Sequence, residues 1–439
     1  MVKLVKYSIS LSLIASVIIH IDLGYAANEM VTVGIGHSCG KTFCTDGTND
    51  QEEINQAIRY LSQTYGGGTV VLDDGTYLVS NNVYLLDNIT LKGTSQFNTI
   101  IKLANYTQLS NAGIIRVKRD TSGLTPAERR INHVTIEHLA IDGNKVHNPS
   151  KADGTTNNYL VYSEGNYITL NYLYAHDATG YGIDPHETPP KDSSPAISSD
   201  YLTISNCLVE NNGKDGIVLD AVRYSSIFNN TVRKNSRHGI NVVTASTKTV
   251  ITANVIEQNG NGIEGNGITV QNDSIDLTIS SNTITANSLA GISLRATTSN
   301  TIVGNQISWH SRQGIILKGA SYSFIANNEL YNNAQAANDT YNEIELQFYL
   351  NPTSRVTIYS HHNLINSNSI INDTSIKCRH GYAEKDSNED YNFITGNSIV
   401  GCYRSTGIHL LSPNSKAANN YVNSTYKPVW PGRGAGLEH

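Results

Sequence analysis

The sequence lacks the short motifs that mark several large classes of enzyme. It contains no GxSxG, HExxH, P-loop or CxxC motif, and none of its five cysteines has a recognisable catalytic histidine partner. Nucleophilic acyl chemistry and zinc-dependent hydrolysis are therefore not expected. Nothing in the sequence indicates an organic cofactor.

An excess of positive charge is also missing, because the formal net charge is −6 at pH 7. Without a global basic field, binding to nucleic acid or to a membrane surface is not predicted, and an anionic ligand would need a local cluster of lysine and arginine. Phenylalanine (6) and tryptophan (2) are scarce, whereas there are 25 tyrosines. A surface rich in tyrosine, asparagine and hydroxyl groups suits carbohydrate.

Long apolar runs are absent beyond the N-terminus. There, Lys3 and Lys6 precede an apolar stretch at about 9–21, and small residues follow. This pattern is typical of a secretory signal cleaved near Ala26, and the stretch is short for the alternative, a membrane anchor. We therefore expect a signal peptide at 1–26 and a secreted, extracellular protein that is not membrane-bound after cleavage.

An internal repeat with a period near 23 dominates the rest of the chain. Its marker is a Gly-Ile pair whose glycine falls at positions 216, 239, 267, 291 and 314. The alternation of β-branched residues around each pair predicts short strands, and a fixed period of this length predicts a solenoid. We predict an all-β fold, a right-handed parallel β-helix, as one domain over 27–430. The tail at 431–439 resembles the start of an expression tag.

An amphipathic segment near the N-terminus is expected to cap the solenoid, because the ends of such folds need a cap. Apolar residues recur at helical spacing from Ile54 to Leu61. Asp50 is predicted as the N-cap of this helix, with Glu53 three residues later.

Four of the five cysteines can pair in a secreted chain. Cys39 and Cys44 are close in sequence, while Cys378 and Cys402 lie one repeat period apart and would sit on adjacent coils. Disulfides are predicted for both pairs, and Cys207 is expected to be a buried small hydrophobe.

The stretch "GYGIDPHE" (180–187) packs a phenol, a carboxylate and an imidazole into six positions. When the glycines at 182, 216 and 239 are set at one level, alternate residues point outward. Eight polar side chains from three coils then share one outer patch. These are Tyr181, Asp184, His186, Lys214, Asp215, Asp220, Arg237 and His238.

Each of these residues taken alone has a structural explanation. A surface histidine is usually solvated, Asp-Gly is common at turns, and Arg237 with Asp215 could form an ordinary surface ion pair. Eight polar residues in register favour a site instead, since the matching positions after residue 260 are mostly small or neutral. Coils about 4.8 Å apart would also bring His186 within hydrogen-bond reach of Asp220.

A phenol and an imidazole beside cations and carboxylates suit the removal of a hydrogen next to a carboxylate. Such a hydrogen is barely acidic until the carboxylate's charge is neutralised and a base stands on one side of the carbon. An epimerase adds a second proton carrier on the opposite face, whereas a lyase expels the O4 substituent. A glycosidase with two carboxylates is a weaker alternative, because a phenol is a poor acid for that reaction.

The motifs "YGIDPHE", "NGKDGIVLD" and "NSRHGINVVT" resemble the catalytic module of secreted, alginate-type mannuronan C5-epimerases. The segments "SKADG" (150–154) and "NNAQAANDTYNEIELQ" (332–347) extend the resemblance, which covers most of the chain after about residue 30. It implies a right-handed parallel β-helix that inverts C5 of β-D-mannuronate within the polymer. It also implies a catalytic set of Tyr181, Asp184 and His186.

The resemblance further implies residues that shape the groove and hold the substrate, an anionic polysaccharide. These are Lys151, Asp153, Asp215, Asp220, Arg237 and His238. Family enzymes commonly depend on calcium, so Ca²⁺ is expected here, with ligands that the sequence does not identify. The calcium-binding GGxGxDxx arrays of some relatives are absent from this sequence. We expect a monomer.

We assign roles to the catalytic set from its chemistry. His186 is expected to abstract H5, and Tyr181 to deliver a proton from the other face. Asp184, if its surroundings keep it protonated, would hold the C5 carboxylate together with the cations.

Lys214 departs from the expected pattern, because an apolar residue is expected at this position in many pure epimerases of this type. As a further substrate-binding cation, its ammonium could assist the departure of O4. Alginate lyase activity, alone or beside epimerisation, is therefore the alternative. A β-helix that only binds a polysaccharide is the third hypothesis.

Overall fold

The computed structural model describes residues 29–150, 158–186, 199–402, 407–423 and 429–431. The expected signal peptide, the tail from residue 432, and the predicted substrate-binding residues Lys151 and Asp153 lie outside the described residues. In the part of the chain that is described, no helix has the length and apolar character needed to cross a bilayer.

The chain winds into a right-handed parallel β-helix, which confirms the predicted fold class. From about residue 200 onward, a typical coil contributes three short strands, for example Ile217–Asp220, Ser226–Phe228 and Thr231–Arg233. Each strand pairs in parallel with the matching strand of the next coil. The coils therefore stack along one axis and form three faces.

One face is a separate parallel sheet, here called the site sheet because it carries the predicted patch. Its described strands are Val83–Tyr84, Ile115–Val117, Val161–Ser163, Ile183–Pro185, Ile217–Asp220, Ile240–Val243, Ile268–Gln271, Ile292–Thr298, Ile315–Ser321, Ile344–Gln347, Tyr382–Glu384, Ile408–Leu410 and Val429–Pro431.

The other two faces belong to one large sheet, because the long strands Ile131–Asp142 and Gly165–His176 run through both. The remaining strands of the first face are Met30–Gly34, Phe43–Cys44, Gly68–Leu72, Ile89–Gly93, Thr203–Ser205, Ser226–Phe228, Val250–Thr252, Thr278–Ser280, Thr301–Val303, Phe324–Ala326, Leu364–Asn366, Phe393–Thr395 and Lys416–Ala418. Those of the second are Gly75–Val79, Thr99–Leu103, Leu208–Glu210, Thr231–Arg233, Val255–Glu257, Thr283–Thr285, Gln306–Ser308, Glu329–Tyr331, Ser369–Ile371, Ser398–Val400 and Tyr421–Asn423. A small antiparallel hairpin, Tyr349–Leu350 with Thr357–Ile358, projects beside the site sheet.

The core is a column of stacked aliphatic side chains. Ile183 pairs with Ile217, and Ile217 with Ile240, in the register expected from the Gly-Ile repeat. All three are fully buried. The preceding glycine is required by close packing, since a Cβ on Gly182 would lie 2.5 Å from the carbonyl oxygen of Gly216.

Columns of hydrogen-bonded asparagine side chains lie at the turns between faces. In one column each side-chain amide donates to the side-chain oxygen of the next coil, through Asn212, Asn235, Asn259 and Asn287. A longer column runs through Asn230, Asn254, Asn282, Asn305, Asn328, Asn368, Asn397 and Asn420. These bonds satisfy buried backbone and amide groups that would otherwise destabilise the coil.

The predicted capping helix is present at Gln51–Tyr65, and its apolar face from Ile54 to Leu61 is buried against the first coils. Asp50 occupies the N-cap position, as predicted, but its side chain makes no capping hydrogen bond to the first turn of the helix. Its carboxylate accepts from the backbone N–H of Gly47 (2.9 Å) and of Leu78 (2.7 Å) instead, tying the helix to the solenoid. A second helix spans Pro126–Arg129.

Both predicted disulfides are present, Cys39–Cys44 and Cys378–Cys402. The second joins segments 24 residues apart. Cys207 is free and buried, as predicted.

Candidate active site

The predicted patch lies on the outer face of the site sheet, around the strand Ile183–Pro185. Alternation along this strand puts Ile183 and Pro185 into the core and Asp184 and His186 on the opposite face. The structure brings Tyr181, Lys214 and the other six residues of the patch together on neighbouring coils.

His186 is hydrogen-bonded to a carboxylate of the next coil. Its Nδ1 lies 2.8 Å from Oδ2 of Asp220. Because a carboxylate only accepts, Nδ1 carries the hydrogen, and the lone pair of Nε2 is left free. Burial lowers the pKa of His186, but the bond to Asp220 and the charge of Asp184 outweigh it and leave this pKa above its usual value.

Asp184 is an almost fully buried carboxyl group, 1% exposed. Its Oδ1 lies 3.8 Å from Nδ1 of His186, and among the described residues it has no hydrogen-bond partner. Burial raises the pKa of Asp184 to about 7. A large share of this group is therefore protonated at neutral pH, with an O–H to donate.

Tyr181 is surrounded by cations and a second tyrosine. Its hydroxyl accepts from Nη1 of Arg237 at 3.4 Å, and Nζ of Lys214 lies 5.0 Å from its ring centre. The edge of Tyr159 meets its ring with centroids 4.9 Å apart. Burial, followed by the charge of Asp215, raises the pKa of Tyr181, and Arg237 offsets this only in part. The phenol is therefore protonated at neutral pH.

Asp215 and His238 are buried residues that position their neighbours in the patch. Asp215 has no exposed surface and holds its neighbours in position, and its contact with substrate stays a prediction. Its carboxylate accepts from the backbone N–H of His238 (2.8 Å) and from Asn241 (3.0 Å), and lies 3.7 Å from Nε of Arg237. Burial lowers the pKa of His238, whose Nδ1 accepts from the backbone N–H of Asn266 at 3.1 Å.

Sequence reasoning missed the residues of the preceding coil. Tyr162 pairs with Asp184, and its ring centre lies 5.6 Å from that of His186. Lys118 lies 5.6 Å from the Tyr162 ring centre and binds Glu164 at 2.6 Å. These residues extend the polar face by two coils on the N-terminal side.

One feature of the sequence explains why the repeat pattern does not reveal these residues. The strand Val161–Ser163 has Leu160 where the following six coils, from Gly182 to Gly314, have glycine, so the Gly-Ile marker is absent. The alternation in "LVYSE" and the 22-residue step from Val161 to Ile183 are signals that could have found them. Glu264 was also missed, although it orients Arg237 by accepting from its Nη2 at 3.1 Å.

The expected calcium has no fitting ligand set within the described ranges. Ca²⁺ takes six to eight oxygen ligands. One described group of three candidate ligands, Asp142, His176 and Asp177, lies within 4.8 Å. It includes an imidazole, and Lys102 (2.8 Å) and Lys145 (3.7 Å) already balance its carboxylates. Calcium binding stays a prediction.

The arrangement offers one group that can remove a proton and a second group that can return one. It has a base nitrogen at His186, a protonated phenol at Tyr181, and beside His186 a buried carboxyl group, Asp184, that is partly protonated at neutral pH. Lys214 and Arg237 add positive charge for an anionic ligand.

Comparison with known families matches both halves of the chain. Residues 43–264 match the family model described as rhamnogalacturonase A/epimerase, pectate lyase-like. Residues 250–425 match the model of the right-handed β-helix region. The A-module of the mannuronan C5-epimerase AlgE6 of Azotobacter vinelandii is similar in structure, with a TM-score of 0.74 and 25% identity, covering 87% of this chain and 97% of that module.

Curated relatives come from the same bacterium. Mannuronan C5-epimerase AlgE5 is 28% identical over 389 residues, which are 84% of this chain and 36% of the relative. Alginate lyase 7 is 30% identical over 211 residues, which are 46% of this chain and 22% of the relative. The chain thus spans about a third or less of the length of these relatives.

Proposed function

Because the chain belongs to the pectate lyase-like family of rhamnogalacturonase A and epimerases, we propose that it is a mannuronan C5-epimerase. It inverts C5 of β-D-mannuronate within alginate and forms α-L-guluronate. Similarity to AlgE5 and to the AlgE6 A-module supports an epimerase-type function. The finer assignment rests on one observation: the outer patch that carries the protonated Tyr181 also carries His186, whose Nδ1 is held by Asp220.

The first step is the loss of H5. Nε2 of His186 takes this proton, and Asp220 stabilises the imidazolium that forms. The electron pair passes from C5 into the carboxylate, which becomes a dianion. The O–H of Asp184 and the cations beside Tyr181 neutralise this charge, so the step becomes accessible at neutral pH.

The second step returns a proton to C5 from the opposite face. The O–H of Tyr181 donates this proton, and Arg237 and Lys214 stabilise the tyrosinate that is left. His186 then loses its proton to solvent and Tyr181 regains one, so that the enzyme is reset without net change.

The alternative is a lyase, which shares the first step. From the same dianion the C4–O4 bond breaks, a C4–C5 double bond forms, and the departing O4 takes a proton. The position of Lys214, 5.0 Å from the Tyr181 ring centre, and the similarity to alginate lyase 7 favour this branch as a side activity.

Proton NMR of polymannuronate after incubation with the protein tests the proposal. Guluronate signals are expected from the epimerase, and signals of unsaturated ends from the lyase. A β-helix that only binds the polymer would give neither set of signals, and the proposed function would then be wrong.

The branch between the two reactions is tested with Lys214→Leu. If the ammonium of Lys214 stabilises the leaving O4, the substitution should lower the yield of unsaturated ends more than the yield of guluronate. A change of 1.4 kcal/mol in the difference between the two activation free energies changes the product ratio about tenfold. Lys234→Leu removes a charge from an exposed turn and serves as the control. Equal loss of both products would make Lys214 a general substrate contact.

A further inference from the structure

A second group of cations lies on the site sheet, away from the catalytic residues. Arg295 lies in the strand Ile292–Thr298, four coils after the strand of His186, and Lys318 pairs with Arg295 on the fifth. At about 4.8 Å per coil these residues are roughly 19 and 24 Å from the catalytic histidine. Arg312 stands two residues before Gly314, the position that Lys214 and Arg237 occupy in their own coils.

The cations near the catalytic residues are mostly neutralised by the protein itself. Arg116 binds Asp120 at 2.5 and 2.6 Å. Lys118 binds Glu164 at 2.6 Å, and Arg237 is paired with Glu264.

The second group of cations lacks such ion pairs in the described part of the chain. Within the described ranges, Arg295, Arg312 and Lys318 form no ion pair, and the buried Nε of Arg295 has no hydrogen-bond partner. Glu345, the acidic group nearest to Lys318, is engaged by Asn342 at 2.6 Å.

Aromatic rings hold these guanidinium groups in place without neutralising them. Arg295 lies 5.6 Å from the ring centre of Tyr349, on the projecting hairpin, and Arg312 lies 5.7 Å from that of Tyr341. Burial and the charges of Arg295 and Arg312 lower the pKa of Lys318. The two guanidinium groups form no ion pair within the described ranges, and Glu345 only partly offsets the charges around Lys318, so the group as a whole favours an anion from outside.

We infer that Arg295, Arg312 and Lys318 form a remote subsite that binds carboxylate groups of a polyuronate chain, four to five sugars from the reacting residue. This inference rests on the proposed function. An extended 1,4-linked uronate advances by about one coil spacing per sugar, so a chain lying along the axis meets one coil with each residue. Arginine is suited to carboxylates because two N–H groups can donate in parallel.

The test compares polymannuronate with the shortest oligomannuronate that the wild-type protein converts. Lys318→Met keeps the aliphatic stem and removes the charge. We expect kcat/KM for the polymer to fall about tenfold, mainly through KM, while the value for the short oligomer changes far less. Lys248→Met removes one exposed charge from another edge of the solenoid and is the control.

Each result decides between the two proposals. An equal fall with long and short substrates, or no fall at all, overturns the remote subsite while leaving the epimerase intact. If the wild type converts neither substrate, the proposed function fails, and calorimetric binding of polymannuronate still tests the subsite. Weaker binding by Lys318→Met than by Lys248→Met supports the subsite in that case, and equal binding overturns it.

Discussion

At the scale of single residues, the site separates two proton carriers by the way each is held. His186 is fixed through Nδ1 by Asp220, which leaves Nε2 as the base. Burial and the charge of Asp215 raise the pKa of Tyr181 and keep it protonated, and Arg237 offsets this only in part. The two groups are therefore suited to opposite roles at the same pH.

Removing either proton carrier should abolish turnover while leaving binding of polymannuronate largely intact. Tyr181→Phe and His186→Gln each remove one proton carrier and little contact area, and the loss of a general acid or base typically costs about 10²–10⁴-fold in rate. The measurement is guluronate formation together with calorimetric affinity. Tyr106→Phe, on a tyrosine that is 84% exposed, is the matched control. Near-normal activity in either active-site variant would mean that the proton carriers lie elsewhere.

Asp184 should shape the pH dependence of kcat/KM. Activity needs a neutral His186 and a protonated Asp184, so it should fall at low pH as His186 gains a proton, and again above about pH 7 as Asp184 loses one. Asp184→Asn should remove the alkaline fall, because an amide still donates.

Full pH profiles of Asp184→Asn and Asp184→Ala test this role. The asparagine variant should keep much more activity than the alanine variant near neutral pH. If both are equally inactive, Asp184 acts as an ionised carboxylate and the assigned role is wrong.

The sequence could predict that the eight residues of the patch come together because they lie next to Gly-Ile pairs. It could not predict that Asp215 is fully buried, since that follows from bonds to His238 and Asn241 across coils. Tyr162 was hidden for a different reason, because its coil carries Leu160 in place of the marker glycine.

At the scale of elements, the coil is held by asparagine bonds as much as by its aliphatic core. The side-chain oxygen of Asn254 accepts from the backbone N–H and the amide of Asn230, both at 3.0 Å, and its own amide donates to the carbonyl of Ile227 at 2.9 Å. The repeated asparagines in the sequence predict these columns. The hydrogen bond from Leu78 to Asp50 could not be predicted from the sequence, because it joins residues 28 positions apart.

Breaking the asparagine column should destabilise the solenoid. Asn254→Ala leaves several buried groups without partners, at about 1–3 kcal/mol for each. We expect the free energy of unfolding in urea to fall by at least about 2 kcal/mol. Asn98→Ala, at an exposed position, should change it little. Equal effects of the two substitutions would show that the column contributes no stability.

At the scale of the whole molecule, buried acids link stability to pH. Burial raises the pKa of Glu389 to about 8 and that of Glu343 to about 7. Both titrate near 4.3 in an unfolded chain. Between about pH 4.3 and the raised pKa values of the folded protein, the folded protein binds more protons than the unfolded chain. The free energy of unfolding therefore falls as pH rises through this range.

Glu389→Gln should weaken this dependence. The amide oxygen can still accept from the backbone N–H groups of Lys385 (2.7 Å) and Asp386 (3.1 Å), but no charge has to be buried. We expect a smaller drop in Tm between about pH 6 and pH 8 than in the wild type. Glu52→Gln, on the exposed side of the capping helix, is the control. An unchanged drop would mean that Glu389 is not the group responsible.

Epimerisation of polymannuronate in deuterium oxide tests the central claim most directly. If His186 removes H5 and Tyr181 delivers a different, solvent-exchanged proton from the other face, each new guluronate should carry deuterium at C5. Mass spectrometry of the isolated guluronate, together with the loss of its H5 signal in proton NMR, measures this. New guluronate that retains its original hydrogen at C5 would contradict an exchange between two groups on opposite faces.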